Sequence, residues 1–192
     1  MGLLKQLNGN KYSVIEVNFL AARRTGQVKA QLPLNTDEFS DDNKAQNGMM
    51  LVYDTVEKEV SLPTDYTTPV LLHFSVEKEY DHLRPGLKNF ALAPGEFYPR
   101  LYTTNVGDTW TTDAVRLAAD GSDDATVTSA YESLSASDST LYGVDDTGFI
   151  DLQTDRAGSY SDAAFLVKII EADTTLPNGG KAVKLEVVKA HK

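Results

Sequence analysis

The stretch FLVKIIEADTTLPNGGKAVKLEVVK (Phe165–Lys189) decides the fold class. Val183, Leu185 and Val187 alternate with Lys184 and Glu186, the two-residue period of a strand with one face buried. The apolar run Ala164–Ile170 is a second strand. Between them, Pro177–Gly180 supplies turn-permissive residues. The expected product is an antiparallel hairpin.

Working outward, the same texture recurs. Tyr12–Leu20 reads YSVIEVNFL, β-branched and aromatic with no Gly or Pro, so a strand is favoured over a short helix. Gln27–Leu32 alternates Val28, Ala30 and Leu32 with polar residues. Met49–Asp54 and Glu59–Leu62 form the arms of a hairpin turning at Thr55–Lys58, and Pro63 ends the second arm. Further strands are expected at Pro69–Glu77, Phe90–Leu92, Phe97–Thr104, Thr109–Leu117 and Gly148–Gln153. Residues 34–48 read as a polar surface loop, and Lys78–Gly86 as a charged turn. Asp124–Leu134 stays open between a helical turn and a strand. With no 10–15-residue amphipathic helix between strands, an α/β fold is excluded. The chain is read as mainly β, a single compact β-barrel or β-sandwich domain with long acidic loops.

Charge divides the chain unevenly. Of 192 residues, 18 are Lys or Arg and 28 Asp or Glu, a net charge of −10. Residues 1–30 carry Lys5, Lys11, Arg23, Arg24 and Lys29 against Glu16 alone, whereas 103–162 hold no lysine and many acids. Two segments follow: a basic 1–30, which packs with the domain or extends as an anchoring arm, and an acidic β-rich 31–192 with a Ser/Asp-rich loop region at 118–162. Opposed charge on one chain speaks of association rather than fold. The cations of 1–30 are too sparse for a phosphate backbone, so nucleic acid is not an expected partner. Their interspersed apolar residues favour a protein surface instead. Lys5, Lys11, Phe19, Arg23, Arg24 and Lys29 are the candidate interface residues.

Chemistry is harder to find. There is no cysteine, which excludes disulfides, thiolate catalysis and sulfur-ligated metals. His73, His82 and His191 lie at no metal-ligand spacing, and no phosphate-binding glycine loop or nucleophile elbow occurs. Asp41–Asp42, Asp120/Asp123/Asp124 and DDTGFIDLQTD (Asp145–Asp155) read as solvated loops; the last departs from the ligand order of a calcium loop. No cofactor, metal or enzymatic activity is expected. Apolar runs fall short of the roughly 20 residues that span a bilayer. Lys5 breaks the apolar start before a signal core forms, so a soluble protein without membrane contact is expected.

Three stretches resemble a known kind of protein. NGMMLVYDTVEKEVSLPT (Asn47–Thr64), GLKNFALAPGEFYPRLYTTNVGDTWTTDAV (Gly86–Val115) and the closing hairpin are similar in texture and order to tailed-phage head proteins encoded beside the major capsid protein. The resemblance implies a capsid decoration or cement protein without enzymatic activity. It implies the major capsid protein as partner, a homo-oligomer with a trimer favoured, and a place on the virion head after assembly in the host cytoplasm. The long 34–48 loop and the 118–162 segment depart from the more compact decoration proteins. The alternative is a carbohydrate-binding or host-attachment β module, with Tyr98, Tyr102 and Trp110 as candidate glycan contacts.

Overall fold

In a computed structural model the structure describes residues 2–75 and 87–190. The chain is mainly β and, among the described residues, its sheets do not close into a barrel. The C-terminal hairpin is the spine. Leu166–Thr175 pairs with Lys181–Lys189, which pairs with Thr109–Thr112, which pairs with Ile15–Phe19, all antiparallel. Val183, Leu185 and Val187 are buried as the alternation requires, against Val167, Ile169, Ile15 and Trp110. Each fully buried aliphatic side chain contributes roughly 1.5–3 kcal/mol. The first arm runs on to Thr175 rather than ending at Ile170. Register shifts around Glu171 let polar Glu171–Thr175 stay in the ladder with their side chains largely solvated.

A second sheet runs Val28–Lys29, Leu101–Tyr102, Leu71–His73, Met50–Asp54 and Glu59–Ser61. Its expected hairpin forms, with Lys58 in the left-handed region and Asp54 Oδ1 accepting from the Val56 and Glu57 amides. The expected strand at Thr109–Leu117 is two strands. The chain bends at Asp113–Ala114, and Val115–Ala118 joins a third sheet with Gly2–Leu3, Ile150–Asp151 and Gly143–Val144. A short pair, Ala45–Gln46 with Ala91–Leu92, completes the β structure.

One expectation changes and two open alternatives are decided. Residues 34–48 are no simple surface loop: Leu34, Phe39 and Ala45 are buried in one cluster with Met49, Leu51 and Val60. Asp124–Glu132 is an α-helix. Asp123 caps it by accepting from the Thr126 amide at 2.9 Å, and Val127 and Tyr131, one turn apart, face the core. Finally, residues 2–30 are no free arm. Leu3, Leu4, Val14, Ile15, Leu20 and Ala22 are buried, and Ile15–Phe19 belongs to the central sheet.

Candidate functional site

The bend at Asp113 shows how the N-terminal segment is fastened. The Asp113 carboxylate, itself fully buried, accepts from the Val14 amide at 2.6 Å, Asn10 Nδ2 at 2.7 Å and Asn8 Nδ2 at 3.1 Å. Burial pushes its pKa up, against the pull of those three donors. Lys5 turns inward beside it: Nζ donates to Gln46 Oε1 at 2.7 Å and to the Lys11 carbonyl at 3.1 Å. Burial lowers the Lys5 pKa to about 8. Lys5 is therefore half-buried and engaged as a structural clasp within the chain. A lysine this close to the chain start reads as solvent-facing until tertiary packing supplies Gln46 and Asp113.

His73 belongs to the same interior. It is fully buried in strand Leu71–His73, with Nδ1 2.8 Å from the Gln46 carbonyl and Nε2 2.7 Å from Ser75 Oγ. A carbonyl only accepts, so Nδ1 carries the proton and Ser75 donates to Nε2. Burial lowers its pKa to about 4. His82 and His191 lie outside the described residues.

The remaining basic residues face solvent, each beside a ring. Lys11 Nζ lies 5.2 Å from the Tyr12 ring centroid, Arg23 6.0 Å from Phe74, Arg24 4.8 Å from Phe19 and Lys29 4.7 Å from Tyr53. Such contacts hold long cations in fixed places over apolar surface. Arg23 and Arg24 sit on a short helix, Ala21–Thr25. Asp108 accepts from its first amide at 2.9 Å, and Gly26 (φ 69°) ends it. The two arginines occupy its last turn, where the helix dipole favours positive charge.

Beside this segment lies a surface that sequence reasoning only half found. The strand pair Val28–Lys29 with Leu101–Tyr102 places Lys29 opposite Leu101, next to the loop Phe97–Arg100. Phe97 is 77 % exposed and Tyr98 56 %. With Arg100, Ala30 and Phe90 they border a shallow cleft of about 420 Å³. Tyr98 is thus available for contact as expected, and Phe97 was missed. A strand was expected from Phe97 to Thr104, but Pro94, Gly95 and Pro99 hold Phe97–Arg100 out of the ladder. Tyr102 and Trp110 are not available. Tyr102 is buried against Phe74, and Trp110 is fully buried and stacked on Phe165, centroids 6.4 Å apart. Both lie in strands whose inward period assigns them to the core, so neither offers a face to a glycan.

The acidic clusters are employed locally. Asp145 Oδ1 accepts from the Thr147 and Phe149 amides, and its Oδ2 pairs with Arg116 at 2.9 Å. Among the described residues no group of three or more His, Asp or Glu is placed to hold a metal ion, and no helix is long and apolar enough to cross a membrane. Within 118–162, Val127, Tyr131, Val144, Phe149, Ile150 and Leu152 are buried, so this segment supplies core as well as charge. No protein-family model matches the chain, and neither curated proteins nor solved structures give a significant match.

Proposed function

We propose that the protein is a non-enzymatic structural component of a tailed-phage head, decorating or cementing the capsid by binding major capsid subunits. The observation that carries this reading is the exposed Phe97–Tyr98 pair beside Arg100 on a chain of net charge −10. Exposed aromatics beside arginine are the composition of protein-binding hot spots. The Arg100 cation beside them favours an acidic partner surface. The buried Asp113 and His73 and the half-buried Lys5 are each engaged in holding loops and strands together, which supports a structural rather than catalytic role. Many weak copies on a regular lattice gain strength from effective concentration.

Co-sedimentation with purified tailed-phage capsids tests the reading. Deleting residues 1–30 is uninformative, because that segment supplies core. The variants are Phe97→Ala/Tyr98→Ala and Lys29→Glu/Arg100→Glu. The expected result is capsid binding by the parent chain and at least about a tenfold loss in each double variant. A folded parent chain that never co-sediments overturns the capsid assignment. The second reading, a host-attachment module, is favoured by the same exposed Tyr98. A glycan-array signal that disappears in the Phe97→Ala/Tyr98→Ala variant, without capsid binding, would establish it instead.

A further inference from the structure

One contact of the N-terminal clasp joins two groups that can react with each other. Lys5 Nζ lies 2.7 Å from Gln46 Oε1, and the same oxygen accepts from the Ser13 amide at 3.0 Å. A C=O bond is about 1.23 Å long and a hydrogen bond meets its oxygen at a wide angle, so Nζ lies about 3–4 Å from the carboxamide carbon. Reacting atoms about 3–3.5 Å apart are close to an attack geometry. The Ser13 N–H already stands on the oxygen where negative charge develops in such an attack, as an oxyanion donor does.

Both partners are fixed from several sides. Lys5 belongs to the short 3₁₀ helix Leu4–Asn8, and its Nζ also donates to the Lys11 carbonyl at 3.1 Å and lies 5.8 Å from the Tyr12 ring centroid. Gln46 is buried, with its main-chain carbonyl accepting from His73 Nδ1 and the Met49 amide. Asp113 clamps both ends of Asn10–Val14 by accepting from Asn10 Nδ2 and the Val14 amide. That stretch presents the Lys11 carbonyl to Nζ and the Ser13 amide to Oε1, so Asp113 is a positioning residue. An amine attacks only as the free base. Burial lowers the Lys5 pKa to about 8, which leaves about a tenth of it neutral at pH 7.

We propose that Lys5 and Gln46 condense within the folded chain to an isopeptide bond, Nζ to Cδ, with loss of ammonia. The Nζ–Cδ bond forms, the Cδ–Nε2 bond breaks, and one proton passes from Nζ to the departing Nε2. The proton that the lysine ammonium gives up beforehand ends on the released ammonia. An ammonium and a carboxamide go in, an amide and an ammonium come out, and nothing is oxidised or reduced. The bond joins residues 41 apart in sequence and ties the N-terminal segment to the strand Ala45–Gln46. In a chain without cysteine it closes a loop as a disulfide would, restricting the unfolded ensemble. The cross-link stands apart from the capsid reading and does not depend on it.

Mass spectrometry of the denatured full chain tests this. The folded and then denatured protein is expected to weigh about 17 Da less than its sequence, the mass of one ammonia. Asn8–Gly9, Asn47–Gly48 and Asn178–Gly179 lose the same mass when such a pair cyclises to a succinimide, so tryptic mapping locates the loss. The expected product is a branched peptide joining Lys5 to Gln46, with no cleavage after Lys5. Lys5→Arg keeps a donor for Gln46 but has no nucleophilic amine. Its mass is expected to equal that of its sequence, and its urea midpoint to shift down. A parent chain of full sequence mass overturns the proposal, as does an ammonia deficit that Lys5→Arg retains. Should Lys5→Arg fail to fold, the parent's tryptic map decides alone: the branched peptide upholds the bond, and separate Lys5 and Gln46 peptides overturn it.

Discussion

At the scale of single residues, buried polar groups govern how the N-terminal segment is held. Asp113 takes three donors from residues 8–14, so Asp113→Ala strands the buried Val14 and Asn10 amides away from water, while Asn8 keeps the Lys181 carbonyl. We expect a loss of about 2–4 kcal/mol in urea unfolding. Trp110, the only tryptophan, reports the transition because it leaves a fully buried site. His73 sets a pH dependence. Its folded pKa, about 4, lies below the ordinary 6.5, so the fold holds the neutral ring and the unfolded chain takes up the proton first. Its contribution is complete above pH 6.5 and is lost as pH falls towards 4, a difference of roughly 3 kcal/mol. Urea titrations between pH 7 and 4 should show this slope, and His73→Gln should flatten it at some cost in stability at pH 7. A His73→Gln variant with the parent's acid slope would assign it to other groups.

At the scale of elements, the sheet is knit from the two ends of the chain, with Ile15–Phe19 three strands from Leu166–Thr175. Removing residues 1–20 takes away a strand of the central sheet and buried Leu3, Leu4, Val14 and Ile15, and is expected to give a product without cooperative unfolding. Gly48, just after Ala45–Gln46, is a second point of sensitivity. Its φ is 92°, and a Cβ there would lie 2.6 Å from that of Ala114. Gly48→Ala should therefore destabilise by more than about 2 kcal/mol, from backbone strain and overpacking together. Gly95, with φ 81° and open space around it, should lose less under the same substitution. Comparing the two in one denaturation series separates the strain from the contact. The helix Asp124–Glu132 was legible in part, since Asp123 before a Val127/Tyr131 pair is a capping signal. Its many Ser, Thr and Asp residues obscured it, because those residues also favour turns.

At the scale of the whole molecule, charge and shape decide association. If the face of Arg100, Phe97 and Tyr98, with Lys29 on the adjoining strand, binds an acidic lattice, affinity should fall as salt rises, while Phe97→Ala/Tyr98→Ala removes a contribution that salt leaves in place. Binding measured at low and high ionic strength for both variants checks this partition; identical salt slopes in the parent and Lys29→Glu/Arg100→Glu chains would refute it. The sequence by itself determined the β class, the C-terminal hairpin, the Met50–Ser61 hairpin and the opposition of a basic start to an acidic body, because period, turn chemistry and charge are local properties. It took the tertiary structure to decide that Lys5 is a half-buried clasp while Arg24 and Lys29 are exposed, that Trp110 and Tyr102 are core while Phe97 is surface, and that Ile15–Phe19 lies beside Thr109–Thr112 in the central sheet. Exposure and strand pairing depend on which distant strands come to lie alongside, and no local pattern records that.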